Sequence, residues 1–129
     1  MQNMDWYETL QKPLLTPPDV VFSIVWPILY ALMVIAMIVI WQKKGAQRFK
    51  PTAWFVVQLI FNFMWSPVFF GAQNIGGALV VVFLLLITLT ITIYAFKKVS
   101  KLAAWLLLPY WLWVVFATYL NFEIWILNK

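Results

Sequence analysis

The chain has 129 residues, of which 65% are hydrophobic and 10% charged, with a formal net charge of +5. No small soluble domain could carry that composition on its surface. Cys and His are both absent, which excludes disulfide and thiolate chemistry, the commonest haem and zinc ligands, and the usual general base.

Charge-free stretches organise the chain. Residues 51–96 hold no charged side chain, and neither do Val20–Trp41 and Leu102–Phe122. A bilayer core about 30 Å thick needs roughly 20 apolar residues per helix, so these stretches predict membrane spans. The first twenty residues include Asp5, Glu8, Lys12, Pro13, Pro17 and Pro18 and lack the apolar core of a signal peptide.

The first span is expected over about 19–42, entered through Pro17-Pro18-Asp19, since Pro suits a helix start and Asp can cap exposed N–H groups. Lys43–Lys50, with Gly45, reads as a loop, and Pro51-Thr52 opens a second span over about 52–70. The uncharged tract is too long for one helix, and Gly71–Gly77 supplies the break. A third span covers about 77–96, Lys97–Lys101 is a short basic turn, and a fourth span covers about 102–127. The expected architecture is all-α: one transmembrane domain over 1–129, a polytopic bundle with four helices visible.

Lys43, Lys44, Arg48, Lys50, Lys97, Lys98 and Lys101 are seven of the nine basic residues, and only Lys12 and Lys129 fall at the other end. The positive-inside rule then makes the loops at about 43–51 and 97–101 cytoplasmic, which suits a bacterial cell membrane. Topology accounts for this charge, so no nucleic-acid partner is expected.

Nine Trp are present. An interfacial belt suits Trp41, Trp54, Trp105 and Trp125 but not Trp113, which lies near the centre of the fourth span. Trp26 and Trp65 also lie deeper than a belt requires. An indole N–H in hydrocarbon needs a partner, so these rings face the bundle interior, where core packing and ligand contact are both open readings. Gln58, Asn62 and Ser66 share one helix face at i, i+4, i+8, with Trp65 beside it. Trp113, Ala117 and Asn121 have the same spacing, with Tyr110 adjoining, and so do Phe22, Trp26 and Tyr30. Interhelical hydrogen bonding explains such groups, Gln58 above all. Together the three faces also suggest a cavity for a large, flat, mostly apolar ligand.

Trp6-Tyr7, Lys12-Pro13, Pro17-Pro18 and Val25-Trp26-x2-Leu29-Tyr30 resemble the tryptophan-rich sensory protein family, whose mitochondrial members are translocator proteins, or peripheral-type benzodiazepine receptors. Phe61-Asn62-x2-Trp65-Ser66-Pro67-x-Phe69-Phe70-Gly71-Ala72 is similar to its second block. Leu107-x-Pro109-Tyr110-x2-Trp113-x2-Phe116-Ala117-Thr118-x-Leu120-Asn121 is similar to its third. The resemblance implies a membrane receptor or sensor, often dimeric, that binds porphyrins such as protoporphyrin IX and related hydrophobic molecules beside membrane lipid. Some bacterial members degrade protoporphyrin with light and oxygen. Carried over by motif, Tyr7 and Pro17 of the N-terminal loop and Trp26, Asn62, Ser66, Trp113 and Ala117 of the helices wall the pocket, with Tyr30, Trp65, Tyr110 and Asn121 adjoining. Trp26 and Trp113 are the residues the resemblance ties to porphyrin turnover.

The family has five spans, one ahead of the Trp-Tyr motif, whereas only Met1–Asp5 precede that motif here. By the resemblance the chain is therefore expected to look like helices two to five, whether as a short natural variant, through a misassigned start or by truncation. The proposed sterol motif, Leu or Val, then Tyr, then Lys or Arg, is broken: Phe122 follows Leu120 where Tyr is needed, and Lys129 is too distant.

No metal set, cofactor, Ser-His-Asp group or phosphate loop is expected. Lys12 could pair with a propionate, or simply be a solvated loop charge. A proton-coupled multidrug transporter is the alternative, but it needs an embedded carboxylate; the first span has none and Glu123 lies near a span end. A structural membrane subunit is the third reading.

Overall fold

A computed structural model describes Leu10 and residues 19–128, Asp19 by its backbone alone. Four long helices succeed one another: α1 (Asp19–Trp41), α2 (Phe49–Ser66), α3 (Ile75–Val99) and α4 (Lys101–Leu127). Each lies in a segment long and apolar enough to cross a membrane, and no β-strand occurs among the described residues. The Pro17-Pro18 entry signal and the Asp19 side chain lie outside the described set.

Helix α1 packs on α4, α4 on α3, and α3 on α2. Contact between α1 and α2 runs through side chains, Tyr30 to Asn62 near the middle and Trp41 to Thr52 at one end. The core follows helical spacing: Leu29, Met33, Ala36 and Ile40 of α1 are buried against Leu85 and Leu89 of α3 and Leu107, Tyr110 and Val114 of α4. Lipid tails are as apolar as these side chains, so close packing and interhelical hydrogen bonds hold the helices together. Thr92 of α3 donates to the Trp54 carbonyl of α2 (3.1 Å), and Trp111 of α4 donates to Thr90 of α3 (2.9 Å).

The helix ends differ from the sequence expectation for local reasons. Lys97 and Lys98 are not a turn; they form the last turn of α3, where cations face the negative end of the helix dipole. Ser100 alone breaks the chain. In extended conformation (φ −154°, ψ 119°) it ends α3 and starts α4, its hydroxyl accepting from Ala103 N at 3.3 Å. Only part of the expected loop at 43–50 is irregular: Ala46–Arg48 form one tight helical turn after Gly45 (φ 88°), and α2 begins at Phe49.

Beyond Ser66, α2 widens into a π turn, Pro67–Gly71, closed by Ala72 N to Pro67 O at 2.8 Å. Pro67 has no N–H for the preceding turn. The extra residue lets consecutive Phe69 and Phe70 both bury, against Ala78 and Ile124. Asn74 then caps α3, accepting from Gly77 N at 2.8 Å. A Cβ on Gly77 would lie 2.6 Å from Asn74 Nδ2, so a larger residue there would have to displace the capping amide.

Up-and-down order puts both basic connections at one end of the bundle. Phe55 near the start of α2 stacks on Phe96 near the end of α3, centroids 6.0 Å apart. At this end the Arg48 guanidinium lies 4.2 Å from the Trp41 ring centre, and Trp105 is exposed.

Candidate functional site

Two groups of side chains meet where α1, α2 and α4 face one another. The first is aromatic. Phe22, Trp26 and Tyr30 occupy one face of α1 because they are four residues apart. Trp113 of α4 meets Phe22 edge-on at 5.4 Å and Trp26 edge-on at 6.4 Å, and lies 5.7 Å from Phe116. Trp26 lies 5.7 Å from Tyr30, which stacks on Phe63 of α2 at 6.1 Å. Trp113 Nε1 is buried with no hydrogen-bond partner among the described residues. In hydrocarbon that donor has no solvent to fall back on.

The second group is polar. Tyr30 donates to Asn62 Oδ1 (2.5 Å), Asn62 Nδ2 donates to the Tyr110 hydroxyl (2.7 Å), and Tyr110 donates to Gln58 Oε1 (2.7 Å). Three helices are joined by one continuous file. Tyr110 and Gln58 are each 0% exposed, so the file lies inside the bundle, as expected for polar groups that lipid cannot satisfy. Gln58 takes the interhelical bond expected of it.

Of the expected site residues, Trp26, Tyr30, Asn62, Tyr110 and Trp113 come together here. Ser66 and Ala117 are half-buried on the adjoining faces of α2 and α4. Trp65 and Asn121 pair with each other instead: Trp65 donates to Asn121 Oδ1 at 2.8 Å, and Asn121 Nδ2 donates to the Ile75 carbonyl at 3.1 Å. Tyr7, Pro17 and Lys12 lie outside the described residues. Phe63 and Phe116 join the aromatic wall although the sequence does not assign them to the pocket; Phe63 adjoins Asn62 in the chain, and Phe116 stands in the third block that resembles the family.

A separate apolar groove of about 610 Å³ runs between α3 and α4, lined by Leu79, Phe83, Val115, Tyr119 and Phe122 among others. It holds none of the expected site residues.

The model of the TspO/MBR family matches residues 1–126. The chain belongs to the TspO/MBR family. It is similar to the tryptophan-rich sensory protein of Cereibacter sphaeroides, 39% identical over 96% of this chain and 77% of that protein. It is also similar to the tryptophan-rich protein TspO of Archaeoglobus fulgidus, 41% identical over 95% of this chain and 80% of that protein. The translocator protein of Homo sapiens is 39% identical over 96% of this chain and 75% of that protein. Membership of the TspO/MBR family and four spanning helices make the chain an integral, multi-pass membrane protein.

Proposed function

We propose that this chain is a membrane receptor or sensor that binds protoporphyrin IX, or a related flat hydrophobic molecule, in the seam between α1, α2 and α4. The observation that carries the reading is Trp113: a buried indole N–H without an acceptor among the described residues, set among Phe22, Trp26 and Phe116. Rings at that spacing offer faces and edges to a planar guest, and the indole N–H offers it one polar anchor. Entry between α1 and α2 is easiest, since side chains rather than close-packed backbones join them there.

Bound in this seam, a photoexcited porphyrin would exchange electrons with Trp26 and Trp113, which gives the light- and oxygen-dependent degradation a route without acid–base residues. The basic end faces the cytoplasm of a bacterial cell in this reading. A homodimer belongs to it as well, by family resemblance.

The experiment is Trp fluorescence of the detergent-purified chain titrated with protoporphyrin IX in the dark. Saturable quenching is expected, weakened in Trp26→Phe and, by loss of one hydrogen bond, about fivefold in Trp113→Phe. Non-saturable quenching, equal in both variants, would overturn the reading.

A further inference from the structure

The polar file through the bundle ends at a mismatch. Gln58 is 0% exposed, yet its Nε2 has no acceptor among the described residues, and orphaned buried N–H groups are rarer than underused carbonyl oxygens. Every member of the file is reversible. A half-turn of each terminal amide torsion exchanges donor and acceptor on Asn62 and Gln58, and each phenol oxygen can accept as well as donate.

Reversed as a unit, the file would run from Gln58 Nε2 to the Tyr110 oxygen, from Tyr110 to Asn62 Oδ1, and from Asn62 Nδ2 to the Tyr30 oxygen. The heavy atoms stand 2.7, 2.7 and 2.5 Å apart; the last suits an O–H donor and would lengthen to about 2.7 Å or more once Asn62 Nδ2 donates across it. Three bonds become three bonds. What moves is the spare donor, from Gln58 in the sealed core to the hydroxyl of half-buried Tyr30, beside Trp26 and Phe63 in the seam. The group left over at Gln58 is then its carbonyl oxygen, while the Tyr30 O–H loses its acceptor and faces the seam. An acceptor in the seam would add a fourth bond, available only in the reversed direction.

We propose that Tyr30, Asn62, Tyr110 and Gln58 form a two-way hydrogen-bond relay, and that a carboxylate or carbonyl oxygen of a bound ligand at Tyr30 selects the reversed direction. The proposal rests on the ligand-binding reading above and deepens it: the seam discriminates for flat ligands that carry an oxygen acceptor. Tyr30 meets the ligand. Gln58, out of its reach, is a positioning residue acting through Tyr110 and Asn62.

The test titrates the purified full chain, in the dark, with two porphyrins that share a ring: protoporphyrin IX, which carries two carboxylic side chains, and etioporphyrin, which carries only alkyl groups. Protoporphyrin should bind about tenfold more tightly, the value of one charge-assisted hydrogen bond. In Tyr30→Phe that preference should fall to about one.

Gln58→Leu should do the opposite. Without Gln58, the Tyr110 O–H can donate only to Asn62, which fixes the reversed direction and leaves the Tyr30 hydroxyl ready. The preference for protoporphyrin should therefore grow, where a merely structural Gln58 would leave it unchanged or shrink it. Should this variant fail to fold, selective ¹⁵N-glutamine labelling reads the relay in the native chain. The Gln58 side-chain amide should shift with protoporphyrin and stay put with etioporphyrin.

Equal affinities for the two porphyrins, or a Gln58 amide unmoved by protoporphyrin, would overturn the relay while leaving the binding site standing. Absence of saturable quenching by either porphyrin would overturn the binding reading and the relay with it.

Discussion

The indole N–H of Trp65 on α2 donates to Asn121 Oδ1 on α4 at 2.8 Å, and the same asparagine donates from Nδ2 to the Ile75 carbonyl at the start of α3. One buried amide thus ties three helices together. Such a pair inside a bilayer contributes about 0.6 kcal/mol on average and up to about 1.7. Trp65→Phe and Asn121→Leu should each lower stability in SDS unfolding titrations, and the double variant should lose less than the sum of the two by roughly that amount. Additive losses would mean that the bond contributes nothing beyond packing.

The cap of α3 offers a second test. Gly77 leaves room for Asn74 to accept from its own backbone N–H, and a methyl group there would meet the Asn74 amide at 2.6 Å. Gly77→Ala should cost about 1 kcal/mol, the value of a lost N-cap, although alanine favours helices. In an Asn74→Ala background the cap is already gone, and Gly77→Ala should then be neutral or stabilising. Thermal unfolding of the four proteins in detergent checks this, and equal losses in both backgrounds would show that cap and glycine act independently.

The sequence made the four helices legible because charge avoids hydrocarbon, and a charge gap needs no knowledge of partners. Helix ends were less legible. Lysines read as a turn, yet Lys97 and Lys98 complete α3 because their side chains reach water while their backbone stays helical. The faces bearing Trp26, Asn62 and Trp113 followed from spacing along single helices. Which donor meets which acceptor did not, since partner choice across helices depends on packing. Trp65 and Asn121 show this: both lie on polar faces, and their mutual bond depends on α2 and α4 standing at one particular relative height. The π turn at Pro67–Gly71 was equally hidden, because proline signals only that a hydrogen bond is missing.

Light provides the third test. Protoporphyrin held against Trp26 and Trp113 should disappear under illumination in air, more slowly in Trp26→Phe and Trp113→Phe, because phenylalanine is much harder to oxidise than tryptophan. Absorbance of the porphyrin, followed at saturating protein so that affinity does not enter, checks this. A loss rate unchanged in both variants would assign the bleaching to the free photochemistry of the porphyrin.

Orientation can be read without disturbing the bundle, because the chain has no cysteine of its own and single thiols can be placed at will. Lys44 lies in the connection between α1 and α2, Ala72 in that between α2 and α3, and both are exposed. Seven basic residues lie at the first of these ends and two at the other by sequence (Lys43, Lys44, Arg48, Lys50, Lys97, Lys98 and Lys101, against Lys12 and Lys129). That imbalance should retain the basic end in the cytoplasm. In intact cells a membrane-impermeant maleimide should therefore label Ala72→Cys and spare Lys44→Cys until the membrane is opened. The opposite pattern would invert the topology and place the N-terminal side of the seam toward the cytoplasm. Labelling of both would mean dual insertion, which so strong a charge bias argues against.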